Sequence, residues 1–336
     1  MYPTRFPRNH WYVVARPDEL GDRPLSRTVL GEAVVLFRGP DGRPAALADR
    51  CIHRSMPLSL GSVQDGTLVC GYHGLAYDAS GAVVDIPCQA QVPRGRQARS
   101  YPVHAGAELI WLWPGDPERA DPAAVPDQSW LDGDDWATVD GTLHLDARAQ
   151  LLNENLTDLS HVAYLHEGSI GTREVAKAPI SVEVDGRVVK VFRPMPEVDC
   201  PPFFTEVMGI GGRIRRGSVA EFVAPGYHIS HVEAEALEPD GIGRCRHRAV
   251  HCVTPETETS AHYFWLIARD YRRDSAEVDQ LWQDGAPVVL MQDVAAVEAI
   301  ETVLRRHPDH PPEINISADA GSLRAREIVE WLIAHD

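Results

Sequence analysis

The chain has 336 residues, with 32 basic against 49 acidic side chains, a formal net charge of −17, 44% hydrophobic and 24% charged residues. That is length enough for two domains with their own cores, in the ordinary balance of a globular protein. So large an acidic excess speaks against nucleic acid and anionic membrane surfaces as partners, which need clustered Lys and Arg, and no run of about 18 apolar residues offers a membrane span. The opening "MYPTRFPRNHWYVV" lacks the apolar core of a secretory signal. A cytoplasmic location is therefore expected, where structural disulfides are rare. Six cysteines (51, 70, 88, 200, 245, 252) in such a chain do not read as a disulfide scaffold.

Residues 10 to 115 hold β-branched and aromatic runs: "WYVVA", "AVVLFRG", "AALADR", "TLVCGYHGLAYD", "AVVDI" and "ELIWLWPG". Turn signals such as "GPDG" and "DASG" separate them and no helical period fits, so a small all-β unit is predicted. "PGDPERADPAAVPDQSW" (114–130) is rich in Pro and Asp and reads as a linker, which sets the expected domains at 1–130 and 131–336. Beyond it, "ARAQLLNENLTDLSHVAYLH" (147–166) predicts a helix, and strands are expected from "PISVEVDGRVVKVF" through "RHRAVHCVTPETETSAHYFWLIA". Leu290, Val294, Val297, Ile300 and Leu304 step by four, three, three and four, the spacing of an amphipathic helix. "DAGSLRAREIVEWLIAH" closes the chain as another. The fold class is α+β: an all-β domain, then an antiparallel sheet with flanking helices.

Cys51-x-His53 is followed, sixteen residues later, by Cys70-x2-His73. Zinc accepts two thiolates and two imidazoles, but zinc-finger spacing groups Cys with Cys and His with His. One of each per loop suits a binuclear centre, with the thiolates on one iron and the imidazoles on the other, as in a Rieske [2Fe–2S] cluster. Gly71 and Gly74 allow close backbone approach, Gly81 ends a turn, and Tyr72 and Tyr77 are placed to shield a cluster or donate to it. On "CIHR…CGYHG…YDASG" the chain resembles the Rieske non-haem iron oxygenases.

A cluster that carries one electron needs a second centre to act on a substrate. Asn155, Asp158 and His161 are spaced by three and share a helical face. His166 lies about 140° further round an ideal helix, so both histidines reach one ion only if the helix bulges or unwinds between them. Asp158, one turn before His161, is expected to accept a hydrogen bond from the second ring nitrogen of that histidine. Two histidines and a distant carboxylate form the facial triad of non-haem Fe(II), and the family's Asp-x2-His-x4-His motif matches Asp158, His161 and His166. The resemblance puts the third ligand at Asp293, an acid inside the apolar stripe that needs a partner, whereas Glu298 and Glu301 are expected to be solvated. Gly285 and Pro287 are expected to break or start that helix.

The resemblance runs from "RNHWYVVA" to the final helix and is nearest to the vanillate and dicamba O-demethylase group, on "LIWLWPGDPERADPAAVPD" and "VHCVTPETETSAHYF". It implies the terminal component of a monooxygenase, which uses O2 and external electrons to hydroxylate a methyl carbon on an aromatic, carboxylated small molecule. An O- or N-methyl group then leaves as formaldehyde. It implies a [2Fe–2S] cluster on Cys51, His53, Cys70 and His73, mononuclear Fe(II) on His161, His166 and Asp293, and catalytic roles for Asp158 and Asn155. In the pocket it points to His251 as a carboxylate holder, with Ser230 and Trp282 as further candidates, although a strand histidine is as readily structural. The remaining four cysteines are expected to be free thiols. Electrons would come from a separate ferredoxin or flavin reductase fed by NAD(P)H, because "GIGGRI" and "DGIGRC" do not complete G-x-G-x-x-G and no C-x4-C-x2-C run is present. A head-to-tail homotrimer is expected, in which Asp158 meets His73 of the partner subunit. Ring cis-dihydroxylation, a pure electron carrier and a zinc-stabilised module stand as the alternatives.

Overall fold

The computed structural model describes residues 2–92, 95–106, 108–238, 243–309, 311 and 313–336. Asp240, Gly241 and Ile242 of the "DGIGRC" stretch lie outside them. Two compact units divide the chain. One comprises Pro7–Gln128 with Thr254–Glu258 and Asp336, the other Met1–Phe6 with Ser129–Val253 and Thr259–His335.

The first unit is all β. Its strands are β1 (Tyr12–Ala15), β2 (Leu25–Val29), β3 (Glu32–Arg38), β4 (Pro44–Ala48), β5 (Ser62–Gln64), β6 (Thr67–Val69), β7 (Ala76–Tyr77), β8 (Val83–Asp85), β9 (Ser100–Tyr101), β10 (Val103–Ala105) and β11 (Ile110–Leu112). They form three antiparallel sheets in the orders β1-β11-β10, β2-β3-β4-β9 and β5-β6-β7-β8. The pleat of β3 explains its unbroken apolar run. Val35 and Phe37 face a core shared with Leu47, Leu58, Leu68 and Tyr77, while Val34 and Leu36 face a second core with Val14, Ala46 and Leu112. A strand buried on both faces reads as continuous rather than alternating. Cys51 and Cys70 sit in the first of these cores.

The second unit is built on one antiparallel sheet of seven strands: β12 (Ala137–Leu145), β13 (Ser181–Asp185), β14 (Val188–Asp199), β15 (Arg213–Val223), β16 (Tyr227–Ala236), β17 (Arg244–Thr257) and β18 (Ser260–Arg269). Their order is β12-β18-β17-β16-β15-β14-β13. The helices are α1 (Ala149–Thr157), α2 (Val162–Leu165), α3 (Pro202–Met208), α4 (Ala276–Arg306) and α5 (Ala320–Ala334). α1 packs on β15 and β16 and touches α4 and α5, and its buried residues include Leu151, Leu152 and Leu156.

Three expectations about helices are corrected. The predicted helix over 147–166 is two pieces, because Asp158 leaves the helix with φ −96° and ψ 110°. Pro287 neither starts nor breaks α4, which runs through it for 31 residues from a Ser275 cap whose side chain accepts from the Val278 N–H. The proline leaves the Gln283 carbonyl without its helical donor, but Gln283 is exposed, and Val278, Trp282 and Ala286 bury the same helical face upstream of it. The apolar stripe also continues differently: Ile300 is 43% exposed, and Glu301, expected in solvent, is 1% exposed. Glu301 is tolerated there because Arg148 and Arg305 bind its carboxylate at 2.6 and 2.9 Å. No helix among the described residues is long and apolar enough to cross a membrane.

Candidate active site

The two Cys/His pairs occupy loops of matching construction. The Cys51 N–H donates to the Met56 carbonyl at 2.8 Å, and the Ser55 N–H returns to the Cys51 carbonyl at 2.9 Å. The Cys70 N–H donates to Leu75 at 2.8 Å, and the Gly74 N–H returns to Cys70 at 3.1 Å. Four residues after each cysteine the backbone turns left-handed, at Ser55 (φ 58°) and Gly74 (φ 74°). Glycine takes that conformation without strain, whereas Ser55 is held in it by the loop closure. Each closure carries its cysteine inward and its histidine outward. Cys51 and Cys70 are 2% exposed, while His53 and His73 lie at the surface with ring centroids 4.6 Å apart.

Tyr77, buried beneath this pair, accepts from the Ile52 N–H at 3.1 Å and lies 3.1 Å from the Cys51 sulfur, to which its hydroxyl donates once that sulfur is a thiolate. Burial, with the Cys51 contact adding to it, holds the Tyr77 hydroxyl far above its usual range, so it stays a donor. Tyr72 is exposed and lays its ring on His73, centroids 3.9 Å apart. The four side chains do not close on one ion as zinc ligands would. Among the described residues the one group of three or more such side chains that does is His161, His166 and Asp293. Sulfur inside, imidazole outside and a donor on the sulfur fit a binuclear Rieske cluster.

His161, His166 and Asp293 each bring one ligand atom to a common point, all within 4.8 Å of one another. The break at Asp158 makes this possible. A turn at residues 159–160 separates α1 from α2, and the two imidazoles flank that short helix. His161 and His166 stand with Nε2 at 3.3 and 3.2 Å from Asp293 Oδ1. Their Nδ1 atoms are already committed, to the Asp158 main-chain carbonyl at 2.5 Å and to Gln292 Oε1 at 2.7 Å. A carbonyl oxygen only accepts, so Nδ1 carries a proton and each Nε2, which faces the centre, is the atom that can give a metal its lone pair. The expectation for Asp158 is corrected here. Its main-chain oxygen, not its carboxylate, orients His161. The carboxylate takes the Ser160 N–H at 2.8 Å and hydroxyl at 2.6 Å, with Arg193 at 3.8 Å.

Asp293 is 3% exposed. Burial alone would raise its pKa, but the hydrogen bonds and charge of His161 and His166 outweigh that and hold the carboxyl well below its usual range. Burial likewise pushes His166 down, and Asp293 more than offsets it. Asn155 donates to Asp293 Oδ1 at 3.1 Å and aims the carboxylate. A divalent iron fits this set, with two neutral imidazoles and one ionised carboxylate on one side.

These three side chains form part of the wall of a cavity of about 110 Å3. Leu156, Val162, Phe203, Phe204, Ile267 and Leu290 make most of the wall apolar. All three pocket candidates reach it: His251, Ser230 and Trp282. Burial pushes His251 down to about 4, so it is neutral, and its Nδ1 meets the Tyr263 hydroxyl at 2.8 Å. Ser230 lies across β16 and β17 from Ala249, with small side chains around it. Trp282 donates to the Tyr271 hydroxyl at 3.3 Å and stands edge-on to Phe203 and His247. Three polar cavity residues escape the sequence reading: Arg193, Arg216 and Ser218. For Arg216 the signal is present, since Ile214, Arg216, Ser218, Ala220 and Phe222 alternate and the apolar members assign all five to the buried face.

Two family models match the chain: the Rieske [2Fe–2S] domain over residues 10–102 and the vanillate O-demethylase oxygenase C-terminal domain over residues 145–335. The vanillate O-demethylase oxygenase subunit of Pseudomonas sp. strain HR199 is 34% identical, over 98% of this chain and 95% of its own. The oxygenase component of dicamba O-demethylase from Stenotrophomonas maltophilia is 36% identical over 88% of each chain. Crystal structures of dicamba monooxygenase superpose closely, the complex with 3,6-dichlorosalicylic acid at a TM-score of 0.90 and 32% identity over 98% of both chains. The form with non-haem iron and dicamba superposes at 0.83. The chain therefore belongs to the Rieske non-haem iron oxygenases of the vanillate O-demethylase type, as an oxygenase component with a Rieske [2Fe–2S] cluster and a mononuclear iron.

Proposed function

We propose that this protein demethylates an aromatic small molecule, with His161, His166 and Asp293 as the iron ligands and Cys51, His53, Cys70 and His73 as the cluster ligands. The observation that carries the reading is the position of the His161–His166–Asp293 group in the wall of a deep, largely apolar cavity. Such a cavity suits an aromatic ring held beside the metal. When bound, the iron supplies the site of O2 reduction and the cluster supplies electrons one at a time. The balance is R–O–CH3 + O2 + 2 e− + 2 H+ → R–OH + HCHO + H2O. A methyl C–H bond is replaced by C–OH, and the resulting hemiacetal breaks its C–O bond to release formaldehyde.

The protein's own residues supply placement. Phe203, Phe204 and Trp282 wall the ring and exclude water. Asn155 fixes the Asp293 carboxylate, and Asp158 and Gln292 fix the two imidazoles. His251 and Ser230 offer polar contacts to the substrate. With no dinucleotide fingerprint in the chain, a cytoplasmic ferredoxin or flavin reductase fed by NAD(P)H delivers the electrons. Product analysis with methoxy- and N-methyl-substituted aromatics tests the reading. Formaldehyde in one-to-one yield with the demethylated product is the expected result; a cis-diol without formaldehyde would replace it by ring dihydroxylation.

The delivery route belongs to the same proposal. Asp158 and His161 line a second, open hollow on the other side of α1 and α2, and His73 is exposed. A head-to-tail trimer would seat His73 of the partner subunit in that hollow against Asp158. Sedimentation should then give three times the chain mass. Asp158→Asn should keep both metals but slow reoxidation of the reduced cluster at least tenfold in stopped flow. A wild-type rate in that variant would remove the bridge.

A further inference from the structure

The cavity holds a charge that no acid among the described residues answers. Arg216 is 5% exposed and lines the cavity from β15. Its Nη1 donates to the Ile170 carbonyl at 2.9 Å, and its guanidinium lies over the Phe204 ring, 4.7 Å from the centroid. Its Nε–H has no partner among the described residues. The ionisable groups that act on it are the Cys200 thiol, which burial pushes up and keeps neutral, and the His247 imidazole, which is neutral too. Burial lowers Arg216 to about 10, so it remains a cation at neutral pH. Arg193, the other cavity arginine, has Asp158 at 3.8 Å. A buried cation without a counter-ion is costly, and folds keep one where a ligand brings the missing charge.

Two more unanswered groups share this part of the wall. Ser218, two residues along β15 on the same face, is 4% exposed and its hydroxyl lacks a partner among the described residues. His247 on β17 is 4% exposed, and among the described residues its Nδ1 lacks one as well. Ser218 pairs with Val232, and Val232 with His247, so serine and histidine stand in one row across three strands. Burial, and then the Arg216 charge, push His247 down to about 3, which leaves it neutral and able to donate a single N–H. Phe204 and Trp282 hold its ring edge-on, with centroids 5.2 and 5.1 Å away. These groups are separate from the His251 station. His251 is four residues further along β17, ~13 Å at the usual rise of a strand, and already has the Tyr263 hydroxyl.

We propose that Arg216, Ser218 and His247 form the anion subsite of the substrate cavity and select aromatic substrates that carry a carboxylate or sulfonate. This rests on the demethylase reading and adds to it where the charged end of the substrate lies. The anion accepts from the Arg216 Nε–H, the Ser218 hydroxyl and the His247 N–H, three donors with no other use, while Phe204 packs under the guanidinium. A charge-assisted hydrogen bond lost from a dry site weakens binding far more than one lost from a wet surface.

The test measures equilibrium binding to the iron-loaded holoenzyme, independently of turnover. The probes are 4-methoxybenzoate, 4-methoxybenzenesulfonate and the uncharged isostere 4-nitroanisole. Wild type should bind at least one of the anions ten or more times more tightly than 4-nitroanisole, and the better anion identifies the class. Arg216→Met should erase the preference while 4-nitroanisole binding stays within about twofold and the cluster spectrum is unchanged. Ser218→Ala, a smaller change, should reduce the preference three- to tenfold, and it serves as the deciding variant if Arg216→Met does not fold. A wild type without anion preference, or an Arg216→Met or Ser218→Ala protein with the full preference, would overturn the subsite. Formaldehyde release from the same probes is scored separately. Its absence in the presence of selective anion binding would count against the demethylase reading alone.

Discussion

Tyr77 is the plainest case of one residue placed to tune the proposed cluster. It accepts from the Ile52 N–H and lies 3.1 Å from the Cys51 sulfur, which as a cluster thiolate can only accept its hydroxyl proton. A hydrogen bond to a thiolate favours the more electron-rich, reduced state of a cluster. Tyr77→Phe should therefore lower the reduction potential by roughly 50 mV, about 1 kcal/mol for one electron, with the cluster still assembled. Protein-film voltammetry would register the shift, and an unchanged potential would mean the hydroxyl does not act on the sulfur. At this scale the sequence is legible for ligands and silent about what orients them. Cys51, His53, Cys70 and His73 stand out by spacing, and His161 and His166 by motif. Gln292 on His166 does not, because the contact depends on how α4 lies beside α2, and glutamine has no signature spacing.

The break between α1 and α2 is the element on which the proposed iron site turns. A helix continued from 147 to 166 would carry His161 and His166 to different faces, and the unwinding was legible as a requirement before its position was. Its position follows from Asp158, whose carboxylate takes the Ser160 N–H and hydroxyl and competes with the helix. Gly171 holds the far side. Its N–H donates to the His166 carbonyl at 3.1 Å, and a Cβ there would fall 1.8 Å from the Val162 carbonyl oxygen. Gly171→Ala must push α2 away and with it both histidines. We expect at least half of the mononuclear iron to be lost by metal analysis, with the cluster absorbance unchanged; full iron occupancy would show that α2 tolerates the shift. α4 teaches the opposite lesson. Local chemistry argues for a boundary at Pro287, and packing of Val278, Trp282 and Ala286 carries the helix through it.

For the whole molecule, the two architectures were legible because each has a distinct period: two in the strands and near 3.6 in α4. The inner face of the seven-stranded sheet was less so, since its cavity breaks the rule that inward residues are apolar. Three of those inward residues, His228, His247 and His251, are at most 4% exposed. Burial holds His228 well below its usual value, and His247 and His251 at about 3 and about 4. In the unfolded chain each takes a proton near pH 6.5. Their folded pKa values are depressed, so the stability they contribute is present above that pH and is lost as the pH falls from 6.5 towards 4. Each adds a slope of about 1.4 kcal/mol per pH unit. Denaturant midpoints should drop steeply between pH 6.5 and 5, and His247→Gln should flatten the slope by about one histidine's share. A slope unchanged in His247→Gln would mean that this imidazole is protonated in the fold.

The central claim is that His161, His166 and Asp293 form the oxygen site and that the cluster is a separate electron store. One measurement reaches it most directly: iron content, cluster spectrum and formaldehyde release compared between wild type and Asp293→Ala in a single turnover of reduced protein. The expected result is an unaltered Rieske spectrum, loss of the mononuclear iron, and formaldehyde reduced at least a hundredfold. Wild-type formaldehyde from Asp293→Ala would contradict the account and send the search for the carboxylate ligand elsewhere, first to Glu298 on the same helix.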